Sequence, residues 1–209
     1  MSTCALVATC DFNADDFKRR HAAGQFDFVM AVDGGYAHLQ AVGCAPDLAL
    51  GDFDSLGYVP EGVEVVQHPA KKDKSDLELA FDYAKECGYQ EVYVYGSLGG
   101  RLDHTIATLQ MSARFAEDGI DVVLVDSDSC VKILVGPATY ALPLLDKGTV
   151  SVFAATDVAR DVVERGMEYP LDAATLTNRT TLGLSNELMG ERASVSVGGG
   201  TLYVFHPIA

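Results

Sequence analysis

Ser75-Asp76-Leu77-Glu78-Leu79-Ala80-Phe81-Asp82-Tyr83-Ala84-Lys85-Glu86-Cys87-Gly88 and, three residues on, Glu91-Val92-Tyr93-Val94-Tyr95-Gly96 decide the fold. In the first segment Leu77, Ala80, Phe81 and Ala84 recur at helical spacing. Ser75 and Glu78 form a capping box, and Gly88 ends the helix as a C-terminal glycine does. The second segment is a short β-branched and aromatic run that stops at a Gly-rich turn. A helix followed at once by a buried strand is half of a βαβ unit.

The same alternation extends in both directions. Apolar runs at 5–9, 28–32, 47–50, 63–67 and 121–126 read as further strands. Helices are expected from the Asp11–Asp16 start, from Gly35 to about Val42, and over 104–116. The pattern predicts an α/β unit with a mostly parallel sheet and flanking helices over residues 1–126. Ligands of such sheets bind beyond the carboxyl ends of the strands. After Asp126 the texture changes to short β-rich runs (131–134, 139–142, 149–154, 193–197, 202–205) separated by Gly, Pro and Asn. Asp172–Leu176 reads as a turn. Residues 127–209 are therefore expected to form a small antiparallel β domain, with Ser127-Asp128-Ser129 as the boundary.

Composition narrows the function. The chain has 209 residues, 48% hydrophobic and 22% charged, which is ordinary for a globular protein and excludes a disordered chain. Its 15 Lys+Arg against 30 Asp+Glu give a net charge of −15. A surface this acidic argues against generic nucleic-acid or anionic-membrane partners. The first 126 residues hold 21 of the acidic and 9 of the basic side chains, so the acidic excess lies in the α/β part. The N-terminus has no basic segment with a long apolar core, and no run approaches the roughly 20 apolar residues of a membrane span. The expectation is a soluble, cytoplasmic protein. The five cysteines are scattered, with no Cys-x-x-Cys pair, and read as small buried residues rather than zinc ligands or disulfides.

Polar residues that follow strands would gather along one rim. Gly51-Asp52-Phe53-Asp54-Ser55 places two carboxylates one residue apart, suited either to a hard cation or to an ordinary turn. Lys71-Lys72-Asp73-Lys74-Ser75-Asp76 sets three lysines ahead of a helix start, where polyphosphate is favoured; exposed lysines and a first-turn acid are the plain alternative. Gly96-Ser97-Leu98-Gly99-Gly100-Arg101-Leu102-Asp103-His104 combines a flexible Gly-rich turn with a guanidinium fork and a carboxylate. It is neither a Walker loop nor a dinucleotide fingerprint. Asp33-Gly34-Gly35 is a fourth rim element, its glycines serving a nucleotide or merely the turn. His104 is the one histidine expected near the site. Together this is the inventory of Mg²⁺-dependent transfer from a nucleoside triphosphate.

The ordered set Asp33-Gly34-Gly35, Pro46-Asp47, Gly51–Ser55, Lys74-Ser75-Asp76-Leu77-Glu78, Gly99-Gly100-Arg101-Leu102-Asp103-His104, Gly166-Met167-Glu168-Tyr169-Pro170-Leu171 and Gly183-Leu184-Ser185-Asn186-Glu187 resembles the thiamine pyrophosphokinase family over nearly the whole chain. The resemblance implies an N-terminal α/β domain that handles ATP and a C-terminal antiparallel β-sandwich. It also implies a homodimer, with thiamine near the subunit interface, and transfer of a diphosphoryl group from ATP to the thiamine hydroxyl with release of AMP. By motif, Asp52, Asp54, Asp76 and Asp103 are the expected Mg²⁺–triphosphate carboxylates and, with Arg101, the catalytic set. Asp33, Gly34, Gly35, Lys72, Lys74, Gly99, Gly100 and Arg101 are the expected ATP contacts. Lys72, Leu184, Ser185 and Asn186 are the expected substrate contacts. The helix start reads Lys-Ser-Asp where the family commonly has Thr-Asp. The chain has no Trp, so any aromatic wall for thiamine falls to another residue, such as Tyr203 or Phe205. The alternatives are a diphosphokinase for another hydroxymethyl heterocycle, such as a pterin, and a non-catalytic nucleotide-sensing module.

Overall fold

The computed structural model describes residues Met1–Ala209. The chain divides into two compact units, Met1–Met111 with Gly119–Ser127, and Ser112–Asp118 with Asp128–Ala209.

In the first unit the strands are β1 (Thr3–Val7), β2 (Phe28–Val32), β3 (Leu48–Gly51), β4 (Glu64–Gln67), β5 (Glu91–Tyr95) and β6 (Asp121–Val125). They lie in the order β6-β5-β1-β2-β3-β4, and every pairing is parallel. All five residues of β1 are buried, as are four of five in β2, β5 and β6. That burial is why these strands read as unbroken apolar runs rather than alternating ones. Strand β4 closes the edge and keeps only partial cover. The helices are α1 (Ala14–Ala22), α2 (Gly35–Ala41), α3 (Asp76–Glu86) and α4 (Leu102–Glu117). Helix α3 begins as its capping box requires: the Ser75 hydroxyl accepts from the Glu78 N–H at 3.2 Å, and Ala80, Phe81 and Ala84 are buried. Helix α1 is capped by Asn13, whose Oδ1 accepts from the Asp16 N–H. The Asn13 amide also donates to the carbonyls of Asp126 and Ser127, tying the helix start to the chain after β6.

The chain order gives the sheet a reversal. Strands β1 to β4 proceed outward on one side of β1, whereas β5 and β6 lie on the other. The crevice at such a reversal, beyond the ends of β1 and β5, is where open α/β sheets take ligands. Two glycines bring neighbouring chain hard against the end of β1. A Cβ on Gly35 would lie 1.8 Å from the Val7 carbonyl oxygen. At Gly96, with φ +64°, it would lie 2.3 Å from the Ala8 carbonyl oxygen. The Ala8 N–H donates to Tyr95 O at 2.8 Å and the Cys10 N–H to Gly96 O at 2.7 Å, so the two loops leave the sheet together.

The second unit consists of two antiparallel sheets. One has the order β12-β9-β14-β7 and the other β11-β10-β13-β8. The strands are β7 (Ser129–Val135), β8 (Ala138–Ala141), β9 (Thr149–Ala154), β10 (Val158–Arg165), β11 (Leu171–Thr177), β12 (Asn186–Glu187), β13 (Ser194–Val197) and β14 (Thr201–Pro207). Val150, Val152, Leu202 and Val204 from the first sheet share one core with Val162, Leu176, Val195 and Val197 from the second. That is a sandwich.

Two segments differ from the sequence expectation. Asp172–Leu176 is not a turn but the body of β11, held by pairing with β10 and by Leu176, which is 1% exposed. Strand β10 itself gives no alternating signal. Its register shifts on both sides of Val162, and Asp161 sits at φ +53°, so two exposed residues fall side by side where a regular strand would alternate.

The close approach at Gly35 yields a stability prediction. Gly35→Ala should cost about 3 kcal/mol or more, because the neighbour is backbone and cannot rotate away. Urea unfolding followed by circular dichroism checks this, and a loss below about 1 kcal/mol would show that the backbone yields.

Candidate functional site

The rim is assembled by the segments that follow β2, β3 and β4. Asp33 ends β2 in the left-handed region, at φ +49°, and its N–H is fixed by Leu50 O at 2.8 Å. Its Oδ2 accepts from the Ser55 hydroxyl at 2.6 Å. In the turn after β3, Phe53 also takes a positive φ, +62°, and is only 2% exposed. The buried ring anchors the turn, and the carboxylates on either side of it stay at the rim. Carboxylate oxygens of Asp33, Asp52 and Asp54 lie within 4.8 Å of one another.

Lys72 joins this cluster to helix α3. Its ammonium donates to Asp52 Oδ2 at 2.7 Å and lies 3.1 Å from Asp76 Oδ1, though not aligned as a hydrogen bond. The Lys72 hydrogen bond holds the Asp52 carboxyl below its ordinary range. Asp76 moves the other way. Burial is the main cause, Lys72 opposes it, and the charges of Asp52 and Asp33 add to it. Burial disfavours the charge on Lys72, but the bond to Asp52 and the pairing with Asp76 outweigh it and raise the ammonium pKa. Asp33 Oδ1 is buried without a hydrogen-bond partner, and Asp76 Oδ1 has only the ion pair with Lys72. Crowded hard oxygen donors, one of them orphaned, are a donor set suited to a divalent cation such as Mg²⁺.

The other sequence candidates fall in different places. Lys74 pairs with Asp82 Oδ2 of helix α3 at 2.6 Å. Arg101 and Asp103 form a two-bond fork, with Nε to Oδ1 at 3.1 Å and NH2 to Oδ2 at 2.6 Å, and both are exposed. The guanidinium draws the Asp103 carboxyl below its usual range. The His104 N–H donates to Asp103 at 3.0 Å, and His104 is exposed. A Cβ on Gly99 would meet Asp11 Oδ2 at 2.9 Å, so the loop after β1 lies directly against the Gly-rich loop after β5. Gly34 faces Thr9 in the same way. Asp11 and Thr9 were not singled out from the sequence. Their signal was positional, and it becomes visible only once β1 is known to be the strand at the reversal. Gly35 is accounted for by the Val7 carbonyl and needs no nucleotide to explain it.

In the second unit Leu184 is half exposed, as are Leu182 and Met189, and Tyr169 is more so. Ser185 stands in the left-handed region at φ +59°, with its N–H donating to Ser151 Oγ at 3.0 Å. Asn186 is 3% exposed, and all four of its amide positions are occupied within the chain. Oδ1 accepts from the N–H groups of Tyr169 and Glu187, each at 2.9 Å. Nδ2 donates to Tyr169 O at 2.8 Å and to Glu164 Oε2 at 2.6 Å. The sequence offered Asn186 as a substrate contact; the geometry leaves its amide no free donor or acceptor. Glu164 is fully buried, which pushes its carboxyl pKa up, with the Asn186 bond acting in the opposite sense. Phe205 packs edge-on against Phe153 at 5.8 Å. Burial, with Glu117 adding to it, pushes the Tyr203 phenol up to about 12.

A parallel α/β unit with a carboxylate–lysine rim beyond its strands defines an enzyme of the phosphate-handling class, here joined to a β-sandwich. The comparisons are more specific. Residues 20–124 match the model described as "Thiamin pyrophosphokinase, catalytic domain", and residues 141–202 match "Thiamin pyrophosphokinase, vitamin B1 binding domain". A curated thiamine pyrophosphokinase of Bacillus subtilis is 28% identical over 180 residues, covering 83% of this chain and 84% of that one. The crystal structure of a Bacillus subtilis thiamine pyrophosphokinase superposes with a TM-score of 0.81 at 26% identity, covering 99% of both chains. A thiamin pyrophosphokinase family protein from Enterococcus faecalis gives 0.82 at 25% identity over the whole of both. The chain belongs to the thiamin pyrophosphokinase family.

Glu164 gives the β unit a pH dependence of known sign. Its folded pKa is raised above the unfolded value of about 4.3, so its contribution is most favourable below that pH and is lost as pH rises through the folded pKa. Glu164→Gln cannot ionise. Its stability relative to the parent chain should therefore rise between pH 4 and pH 8, as measured by urea midpoints across that range. A difference that stays flat or moves the other way would place the carboxyl's pKa at or below its unfolded value.

Proposed function

We infer that the chain transfers a diphosphoryl group from ATP to the hydroxyl of thiamine, giving thiamine diphosphate and AMP. Besides the family, the observation that carries this reading is the cluster of Asp33, Asp52 and Asp54, with Lys72 joining Asp52 to Asp76. Four carboxylates beside a polyanionic substrate make sense only with cations between them. Asp52, Asp54 and Asp76, with Asp33 adjoining, would hold Mg²⁺, and Asp103 is the further candidate ligand. When bound there, Mg²⁺ supplies neutralisation of triphosphate charge.

The chain's own groups do the rest. Lys72, held between two carboxylates in the free protein, is an ammonium that can turn to a phosphate oxygen with little movement. Arg101 is exposed, and its fork, now filled by Asp103, has the geometry of two phosphate oxygens. Gly99 and Gly100 leave backbone amides open to close approach. The thiamine hydroxyl oxygen attacks the β-phosphorus, the bond from that phosphorus to the oxygen bridging it to the α-phosphorus breaks, AMP departs with that electron pair, and the hydroxyl proton is released to solvent. Leu184, Ser185 and Tyr169 in the sandwich would meet the heterocycle, with Asn186 bonding Tyr169 in support. The active species is a homodimer, and the compartment is the cytoplasm. No helix is long and apolar enough to cross a membrane.

AMP release from ATP plus thiamine tests the reaction. Product formed with a hydroxymethyl pterin but not with thiamine would favour the other diphosphokinase, and nucleotide binding with no turnover would favour a sensor. Asp54→Asn should lower turnover at least about a hundredfold while leaving the thermal midpoint within a few degrees, because an exposed rim carboxylate supports the chemistry rather than the core. Chelation by EDTA should stop the parent enzyme and added Mg²⁺ should restore it. Asp54→Asn with activity within twofold of the parent would remove Asp54 from the cation set.

A further inference from the structure

We propose that Glu164 is a positioning residue for thiamine binding, acting through Asn186. The inference rests on the reading that the Leu184–Ser185 turn meets thiamine. Glu164 lies on β10 between Val195 of β13 and Leu171 of β11, in the sandwich core, and is 0% exposed. A carboxyl there is costly to bury, and an apolar side chain would pack the position better. Its Oε2 has the Asn186 amide at 2.6 Å, whereas its Oε1 is buried with no hydrogen-bond partner. Stability therefore does not account for it.

What the carboxyl does is set the direction of an amide. An asparagine amide has two different ends. With an acceptor at Glu164, Nδ2 must face the core, and Oδ1 must then face the N–H groups of Tyr169 and Glu187. Tyr169 is bound twice by this one side chain, through its N–H and its carbonyl. The residue just before Asn186 is Ser185, held at φ +59°. The buried bond thus orients the amide that holds the exposed Tyr169 at both backbone groups, and that amide stands next to the Ser185 turn, whose own N–H is held by Ser151 Oγ. If the acceptor is removed, one Nδ2 hydrogen is left unpaired in the core, the amide is free to rotate, and Tyr169 loses its anchor beside the Ser185 turn.

The test compares two Glu164 variants in steady-state kinetics, with thiamine and ATP varied separately. Glu164→Met keeps the length and removes the acceptor. It should raise the KM for thiamine about tenfold or more and leave the KM for ATP within about twofold. Glu164→Gln keeps an acceptor for Asn186 and should stay within about threefold of the parent for both substrates. A folded Glu164→Met with unchanged thiamine KM overturns the proposal, as does an equal loss for both substrates in the two variants. Should Glu164→Met fail to fold, Asn186→Asp and the double variant Glu164→Gln/Asn186→Asp decide. The single variant sets two carboxyls face to face, whereas the double restores one donor–acceptor pair. The double variant should bind thiamine at least about fivefold better than the single, and no improvement overturns the proposal. If the parent protein makes no AMP from thiamine and ATP, the functional reading fails, not the positioning. Positioning is then read from hydrogen exchange at the Tyr169 and Glu187 amides, which should quicken in Glu164→Met and not in Glu164→Gln; equal protection in both would overturn it.

Discussion

The end of strand β1 is the constraint on which the α/β unit depends. Val7 and Ala8 present their carbonyl oxygens to two other segments that come within backbone contact, at Gly35 and at Gly96. Neither approach leaves room for a Cβ. The strand is fully buried and central, so its end cannot move outward to relieve the crowding. The loops after β1, β2 and β5 are therefore drawn to one place, and their polar residues come with them. Asp33 sits one residue before the first glycine pair, and Asp11 lies against Gly99.

That placement concentrates negative charge. Asp33, Asp52 and Asp54 crowd together, with Asp76 adjoining, and one ammonium, that of Lys72, bonds Asp52 and pairs with Asp76. The opposite shifts of Asp52 and Asp76 express the imbalance. Asp52 has the hydrogen bond and is stabilised as an anion, whereas Asp76 has the burial and the repulsion and is not. An arrangement that crowds three carboxylates and leaves Asp33 Oδ1 without a partner is not optimised for the free protein.

Much of this was legible in the sequence, for identifiable reasons. Strands buried on both faces give continuous apolar runs, and β2 and β5 have the expected bounds. The capping box at Ser75 and the left-handed Gly88 bound α3 because local chemistry alone sets those ends. Strand β10 was not legible, because its irregular register erases the alternation on which a strand is read. Lys74 could not be told from Lys72 by sequence. Both precede the same helix, and only the fold shows that one turns to the rim and the other to Asp82. Asp11 needed the strand order before its position meant anything.

The Ser185-Asn186 pair shows a deeper limit of motif reading. Both residues belong to the segment that carries the resemblance, and both are short polar side chains suited to a ligand. Bond counting separates them. Asn186 is buried with every donor and acceptor occupied, whereas Ser185 is exposed, with its backbone held in the left-handed region. An amide that is saturated by its own chain recognises nothing further, yet replacing it would disturb everything it holds. A residue can therefore be required by a binding turn without touching what the turn binds. Burial and hydrogen-bond saturation, rather than membership of a motif, distinguish the group that supports from the group that makes contact.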